Sequence, residues 1–181
     1  IIIIDLLDLI NLGNAYPKLF PKNLYKKIFT KAKTMIEYSL QIDHPDENIP
    51  FFNDATFGIA PTRNQIIQYS KDLGIEVNKP SETFKIFPKS GISISANSTS
   101  KIIYNCSDVV ASYIPGHTHA NALSFELSLG AQRFIVNSGI NTYDSSIDRL
   151  RQRSTESFNT VEIDGKNSTE VWSSFRVANR A

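Results

Sequence analysis

The spacing of apolar residues changes near Lys79 and Pro80, and this change constrains the fold more than any other feature. Upstream, apolar residues recur every three to four positions, which is typical of amphipathic helices. Downstream, short segments alternate between apolar and polar residues, which is typical of half-buried strands. The sequence therefore predicts an α+β fold with two domains, a helical segment over residues 1–78 and an antiparallel sheet domain over residues 79–181.

Apolar spacing and turn residues predict three helices in the first part of the chain. These are Ile1–Leu12, Lys22–Leu40 and Thr62–Leu73. Gly13 and Gly74 are the expected ends of the first and third helices, because glycine commonly follows a helix. Thr62 and Gln65 have the spacing of a capping box at the start of the third helix.

Short β-rich segments follow in the second part. They are Phe84–Phe87, Gly91–Ser95, Lys101–Cys106, Ser124–Leu129, Phe134–Val136 and a hairpin-like unit of Thr160–Ile163 and Val171–Val177. In Ser124–Leu129 the three apolar side chains are expected on one face and the three polar side chains on the other. Asp164-Gly165 is the expected hairpin turn.

Charge and length exclude several classes of function. The 19 basic and 18 acidic residues nearly cancel, so the chain has no large basic field for a nucleic acid. The apolar start is too short and too often interrupted by polar residues to insert into a membrane. Cys106 is the only cysteine, so an internal disulfide is impossible. The chain begins in an apolar helix without a methionine and ends at Ala181 inside a strand-like segment, so we expect it to be part of a longer protein that is incomplete at both ends.

Two of the three histidines, His117 and His119, lie two positions apart after a Pro-Gly turn and before a strand. Histidine transfers protons near neutral pH and is a common metal ligand. A pair at this spacing, on a turn before a strand, can be held rigidly while still reaching a cleft. A turn histidine that bonds only to backbone is the alternative for His117. His44 follows the second helix and is given no functional role.

An ordered series of motifs surrounds this pair. They are the histidines with the LSFEL run, Val136–Gly139, Tyr143, Arg153–Thr155, Asn159–Val161, Asp164-Gly165 and Trp172–Arg176. Together they resemble the bacterial heparinase II/III-like polysaccharide lyases. The resemblance implies the last helices of an α/α toroid followed by the first part of a β-sandwich of the supersandwich kind.

The resemblance also implies an activity, which is cleavage of a uronic-acid-containing acidic polysaccharide or oligosaccharide by β-elimination. Part of the catalytic machinery of such lyases is in toroid helices that would precede Ile1, so residues 1–181 alone are expected to be inactive. A periplasmic or secreted location in a bacterium is expected, with the cytoplasm as the other possibility.

By the same resemblance, His117 is a catalytic residue, and Tyr143 is a second candidate that aromatic packing explains equally well. Arg149, Arg153 and Asn159 are the expected substrate-binding residues, since guanidinium groups can hold carboxylate or sulfate in bidentate contacts. The alternative for the two arginines is simple solvation at the surface.

Many relatives bind a structural zinc ion, and the matching positions here are His119, Asn137 and Phe158. A carboxamide is a poor zinc ligand and a phenyl ring is none, so no metal or other cofactor is expected. Phe158 is expected to fill the space by apolar packing, and His119 to bond to Asn137 or to a backbone carbonyl. Because Asn121 also replaces a family Asp, a non-catalytic carbohydrate-binding relative stays open as a second function, and a scaffold for oligomerisation as a third.

Overall fold

The computed structural model describes residues 1–78, 84–108 and 113–180. These residues form four α-helices and a five-stranded antiparallel sheet, which confirms the α+β class. The helices are α1 (Ile2–Ala15), α2 (Lys22–Ile42), α3 (Arg63–Asp72) and α4 (Ile147–Arg153). The strands are β1 (Lys85–Phe87), β2 (Ile92–Ala96), β3 (Ser100–Asn105), β4 (Phe125–Leu129), β5 (Gln132–Ile135), β6 (Val171–Ser173) and β7 (Arg176–Val177).

The chain divides into a helical unit and a sheet unit. The helical unit comprises Ile1–Asp43 and Gly58–Ser81, and the sheet unit comprises His44–Phe57 and Glu82–Ala181. Residues 44–57, here called the connecting segment, thus group with the strands, although the prediction placed them in the helical range 1–78. The reason is that polar side chains of this segment bond to β4 and to the histidine-bearing turn. The predicted boundary at residue 79 stays a prediction, because residues 79–83 lie outside the described residues.

Apolar side chains of α1 and α2, with Ile75, form the core of the helical unit. The buried members are Leu7, Ile10, Ala32, Ile36, Leu40 and Ile75. α1 extends to Ala15, so Gly13 is inside the helix and not at its end. A Cβ atom at Gly13 would lie 2.8 Å from the ring of Tyr25. The glycine therefore permits close packing of α1 against α2.

α3 begins as predicted. The Oγ1 atom of Thr62 accepts a hydrogen bond from the Gln65 amide, and the Gln65 side chain accepts one from the Thr62 amide, which confirms the capping box. Gly74 follows the helix with a φ of +74°, a conformation that glycine adopts without strain. Within the described ranges, none of the helices has the length and apolar character needed to cross a membrane.

The sheet unit contains a meander in the order β1-β2-β3-β4-β5, and β6 pairs with β7 in a separate hairpin. The predicted pairing of Thr160–Ile163 with Val171–Val177 is wrong. Asp164 and Gly165 both have positive φ, which is the geometry of a tight two-residue turn, and Ile163 consequently bridges to Lys166. Val171–Val177 folds back on itself instead.

The alternation in β4 has an unusual consequence, because its polar face is the buried one. Ser124, Glu126 and Ser128 are each 0% exposed, whereas Leu129 on the opposite face is 45% exposed. Buried polar groups need hydrogen-bond partners inside the protein. The connecting segment supplies such partners for Glu126 and Ser128.

Candidate active site

The two histidines flank Thr118 at the end of a short 3-10 turn, Pro115–His117. Thr118 has extended backbone angles (φ −79°, ψ 140°), and the Arg153 side chain donates a hydrogen bond to its carbonyl oxygen. The side chain of His117 is 73% exposed, and that of His119 is 0% exposed. The turn therefore presents one imidazole to solvent and buries the other.

Asp54, in the connecting segment, joins both histidines. Its Oδ2 atom lies 2.6 Å from Nδ1 of His117, and its Oδ1 atom lies 2.6 Å from Nε2 of His119. Nη1 of Arg149 is also 2.6 Å from Oδ1. One carboxylate thus connects a surface imidazole, a buried imidazole and a buried guanidinium.

The charge on Asp54 is strongly favoured. Burial by itself would raise the pKa of this carboxyl, but hydrogen bonds from His119, Arg149 and His117 outweigh burial and hold the pKa far below its ordinary value. A carboxylate can only accept hydrogen bonds, so Nδ1 of His117 must carry a proton. Nε2 of His117 is consequently the ring nitrogen that is available to a reacting group.

His119 plays a supporting part. Burial lowers its pKa, and Arg149 and Arg153 lower it further, while Asp54 opposes both effects. The neutral ring donates from Nε2 to Asp54, so the expected bond to Asn137 or to a backbone carbonyl is wrong. Nδ1 of His119 has no hydrogen-bond partner among the described residues.

Tyr143 stands next to His117 in an aromatic cluster with Phe175. The His117 and Tyr143 rings are perpendicular with centroids 6.2 Å apart, and the Tyr143 and Phe175 rings stack at 5.8 Å. The Arg149 guanidinium lies 4.9 Å from the Tyr143 ring centroid. Burial and the nearby Asp54 charge raise the pKa of Tyr143, with Arg149 acting in the opposite sense, so the phenol keeps its proton at neutral pH.

Arg149 and Arg153 are not surface residues. Both are 0% exposed, and they lie one helical turn apart on the inner face of α4. Burial lowers the pKa of Arg153 to about 10, which still leaves a cation at neutral pH. Their burial rules out the alternative of solvation at the surface, and the predicted substrate contacts stay a prediction. Arg149 holds Asp54, and Arg153 holds the Thr118 and Ser173 carbonyls.

Asn159 lies elsewhere in the sheet unit. Its side chain donates to the carbonyl oxygen of Phe125 and to Oδ1 of Asn137. It lines a cleft of about 700 Å³ together with Asn137, Phe158 and residues of α4. Those α4 residues include Gln152 and exclude Arg149 and Arg153. The structure therefore does not bring Asn159 together with His117.

The three positions that match the family zinc ligands do not fit a zinc ion. Phe158 is 7% exposed and packs perpendicular to His119, with ring centroids 5.6 Å apart. A phenyl ring offers no lone pair, and Oδ1 of Asn137 already accepts two hydrogen bonds from Asn159. Nowhere in residues 1–78, 84–108 and 113–180 are three His, Cys, Asp or Glu side chains arranged to hold a metal ion.

Comparison with known proteins connects this geometry to a family. A family model described as "Heparinase II/III-like, C-terminal" matches residues 79–181. None of the curated proteins matches the chain significantly.

Solved structures of heparinases share the fold. The BT4657 gene product, a heparinase III, superposes with a TM-score of 0.69 at 20% identity, over 94% of this chain and 30% of that one. A heparan sulfate lyase, HepC from Pedobacter heparinus, superposes with a TM-score of 0.60 at 20% identity, over 94% of this chain and 31% of that one. The chain thus spans about a third of the length of these structures, and at this identity the likeness concerns the fold.

Proposed function

Because the chain belongs to the heparinase II/III-like family, we propose that the protein containing it is a lyase that cleaves a uronate-containing acidic polysaccharide by β-elimination. The exposed His117 imidazole, fixed by the buried Asp54 carboxylate, carries this proposal. The helical unit would be the end of an α/α toroid, and the five-stranded sheet would be part of a β-sandwich. A periplasmic or secreted location in a bacterium suits an enzyme with a polymeric substrate.

The chemistry of β-elimination matches the two side chains at this site. Nε2 of His117 would take the proton from the carbon next to the uronate carboxylate. The electron pair left behind forms a carbon–carbon double bond and expels the glycosidic oxygen from the next carbon. Tyr143, whose raised pKa keeps it protonated, would give its proton to that oxygen. Neutralisation of the uronate carboxylate is assigned to residues of the larger helical domain.

The second candidate is a non-catalytic carbohydrate-binding relative, which is favoured by the loss of zinc ligands at Asn137 and Phe158. The arrangement around His117 argues against it. Asp54 accepts a hydrogen bond from the buried His119 ring and is itself held by Arg149, so protein side chains fix the ring. The reactive nitrogen of His117 keeps its orientation through the same carboxylate.

The proposal is tested with the full-length protein and a panel of uronate polymers, by following ultraviolet absorbance of the unsaturated product. We expect an increase on at least one polymer, and a loss of about 100-fold or more in rate for His117→Ala. Gln132→Ala, an exposed position on β5, is the matched control and should leave the rate unchanged. Measurable glycan binding without any absorbance change would instead establish the binding relative.

A further inference from the structure

We propose that Glu126 is a positioning residue for the Asp54–His117 pair and acts through the connecting segment. Only its catalytic consequence rests on the proposed function, since the effect on the geometry of His117 can be measured by itself. Glu126 lies on the buried polar face of β4 and is 0% exposed. A buried carboxylate persists only where it is fully bonded, so its partners show what it holds in place.

The partners of Glu126 tie three parts of the sheet unit together. Oε1 accepts hydrogen bonds from the backbone amides of Phe51 (3.0 Å) and Asn137 (2.9 Å). Oε2 lies 2.8 Å from Nε2 of His44 and 3.6 Å from Nη1 of Arg133. Glu126 therefore bonds both to the start and to the middle of the connecting segment.

His44 completes a chain of three polar side chains, with its Nδ1 atom 2.7 Å from Oγ of Ser128. The order serine, histidine, glutamate has the pattern of a nucleophile, a base and an orienting acid. All three side chains are 0% exposed, so a substrate cannot reach the serine. The network is instead an anchor that fixes the start of the connecting segment to β4.

The anchored amide of Phe51 is only three residues from Asp54. A turn spans Phe52 to Ala55 and includes Asp54, because the Ala55 amide donates to the carbonyl oxygen of Phe52. Asn53, with a φ of +52°, then accepts a hydrogen bond from the His119 amide. The bond from Phe51 to Glu126 and the bond from His119 to Asn53 are only two residues apart along the connecting segment. A shift of Phe51 therefore displaces the Asp54 carboxylate and frees the His117 ring.

The test compares variants of Glu126 in the full-length protein. Ring ¹⁵N signals of His117 report which nitrogen carries the proton, and amide hydrogen exchange of Phe51 reports the anchor. Glu126→Leu should convert His117 from the Nδ1–H form to a mixture, speed exchange at Phe51, and lower kcat about tenfold or more with little change in KM. Glu126→Gln keeps an oxygen for the two amides and should recover most of the wild-type behaviour. Ser128→Ala removes only the bond to His44 and is the matched control.

If Glu126→Leu does not fold, Glu126→Asp replaces it in the test. Aspartate keeps the negative charge but has a side chain that is one methylene shorter. We expect it to produce the same change in the His117 signals, in smaller degree. A folded leucine or aspartate variant with wild-type His117 signals would overturn the inference. Absence of lyase activity in every protein, with the expected change in the His117 signals, would refute the proposed function and leave this inference standing.

Discussion

Nδ1 of His117 lies 2.6 Å from Oδ2 of Asp54, although the two residues are separated by 63 positions in the sequence. The same carboxylate contacts His119 and Arg149, so three donors hold it in one orientation. An exposed imidazole normally exchanges between two neutral tautomers. Here the carboxylate selects the form whose Nε2 atom carries the free lone pair, as a proton acceptor requires.

Asp54→Asn should therefore abolish most of the proposed activity. The amide can donate a hydrogen bond as well as accept one, so it no longer enforces the Nδ1–H tautomer of His117. We expect kcat to fall about 100-fold or more with little change in KM, measured with the full-length protein on its best polymer. Asn53→Ala, the neighbouring position, should cost much less. Equal losses in the two variants would show that the effect is one of local packing.

Arg149→Met should destabilise the sheet unit. Removing one member of a buried charge group leaves the other uncompensated and typically costs about 3–5 kcal/mol in the free energy of unfolding. Asp54 keeps its two histidine contacts, so we expect the lower end of that range, measured by urea denaturation. Arg151→Met, on the exposed face of the same helix, is the control and should change stability by less than about 0.5 kcal/mol. Similar values for the two variants would contradict the role assigned to Arg149.

Local patterns predicted the elements well, because their determinants are short-range. The capping box at Thr62 and the alternation in β4 each depend on residues a few positions apart. Asp54 was missed for the opposite reason. It lies in an irregular segment rich in Asp, Asn and Pro, and only the folded chain brings it to His117. No local signal distinguishes it from the other acidic residues of that segment.

The two arginines of α4 show a second limit of prediction from the sequence. Composition statistics place arginine at the surface, yet both guanidinium groups are buried by α4 and its neighbours. The motif identifies the arginine at position 153, but it does not show which face of α4 carries the side chain. The spacing of Arg149 and Arg153, four residues apart next to polar strands, was the available clue to a shared inner face.

Tyr143→Phe distinguishes a role of Tyr143 as a proton donor from a role in aromatic packing. Phenylalanine keeps the stacking on Phe175, so folding and KM should change little. Loss of the phenolic proton should lower kcat about 100-fold or more if Tyr143 protonates the leaving oxygen. The measurement is steady-state kinetics of the full-length variant, with Phe175→Leu as the control for loss of stacking. An unchanged kcat in Tyr143→Phe would assign this residue to packing alone.

Restoring two ligands should create a zinc site. In Asn137→Asp/Phe158→His, the unpartnered Nδ1 of His119 gains a carboxylate and an imidazole as companions. Three such donors are the minimum that a protein zinc site supplies. We expect about one zinc per chain by elemental analysis of the double variant, and none in the wild type or after His119→Ala in the same background. Stoichiometric zinc in the wild-type protein would contradict the assignment of these positions.

The buried His119 ring should make stability depend on pH in a defined window. Its folded-state pKa is lowered from about 6.5, so the unfolded chain binds the proton more readily. The free energy of unfolding should then be highest above pH 6.5 and fall as the pH decreases, by at most about 1.4 kcal/mol per pH unit from this one group. His119→Gln still offers Asp54 an N–H donor but does not titrate, so its unfolding free energy should fall less over the same range. Urea denaturation of both proteins between pH 5 and 8 measures the difference, and parallel curves would show that His119 is protonated as easily in the folded protein as in the unfolded chain.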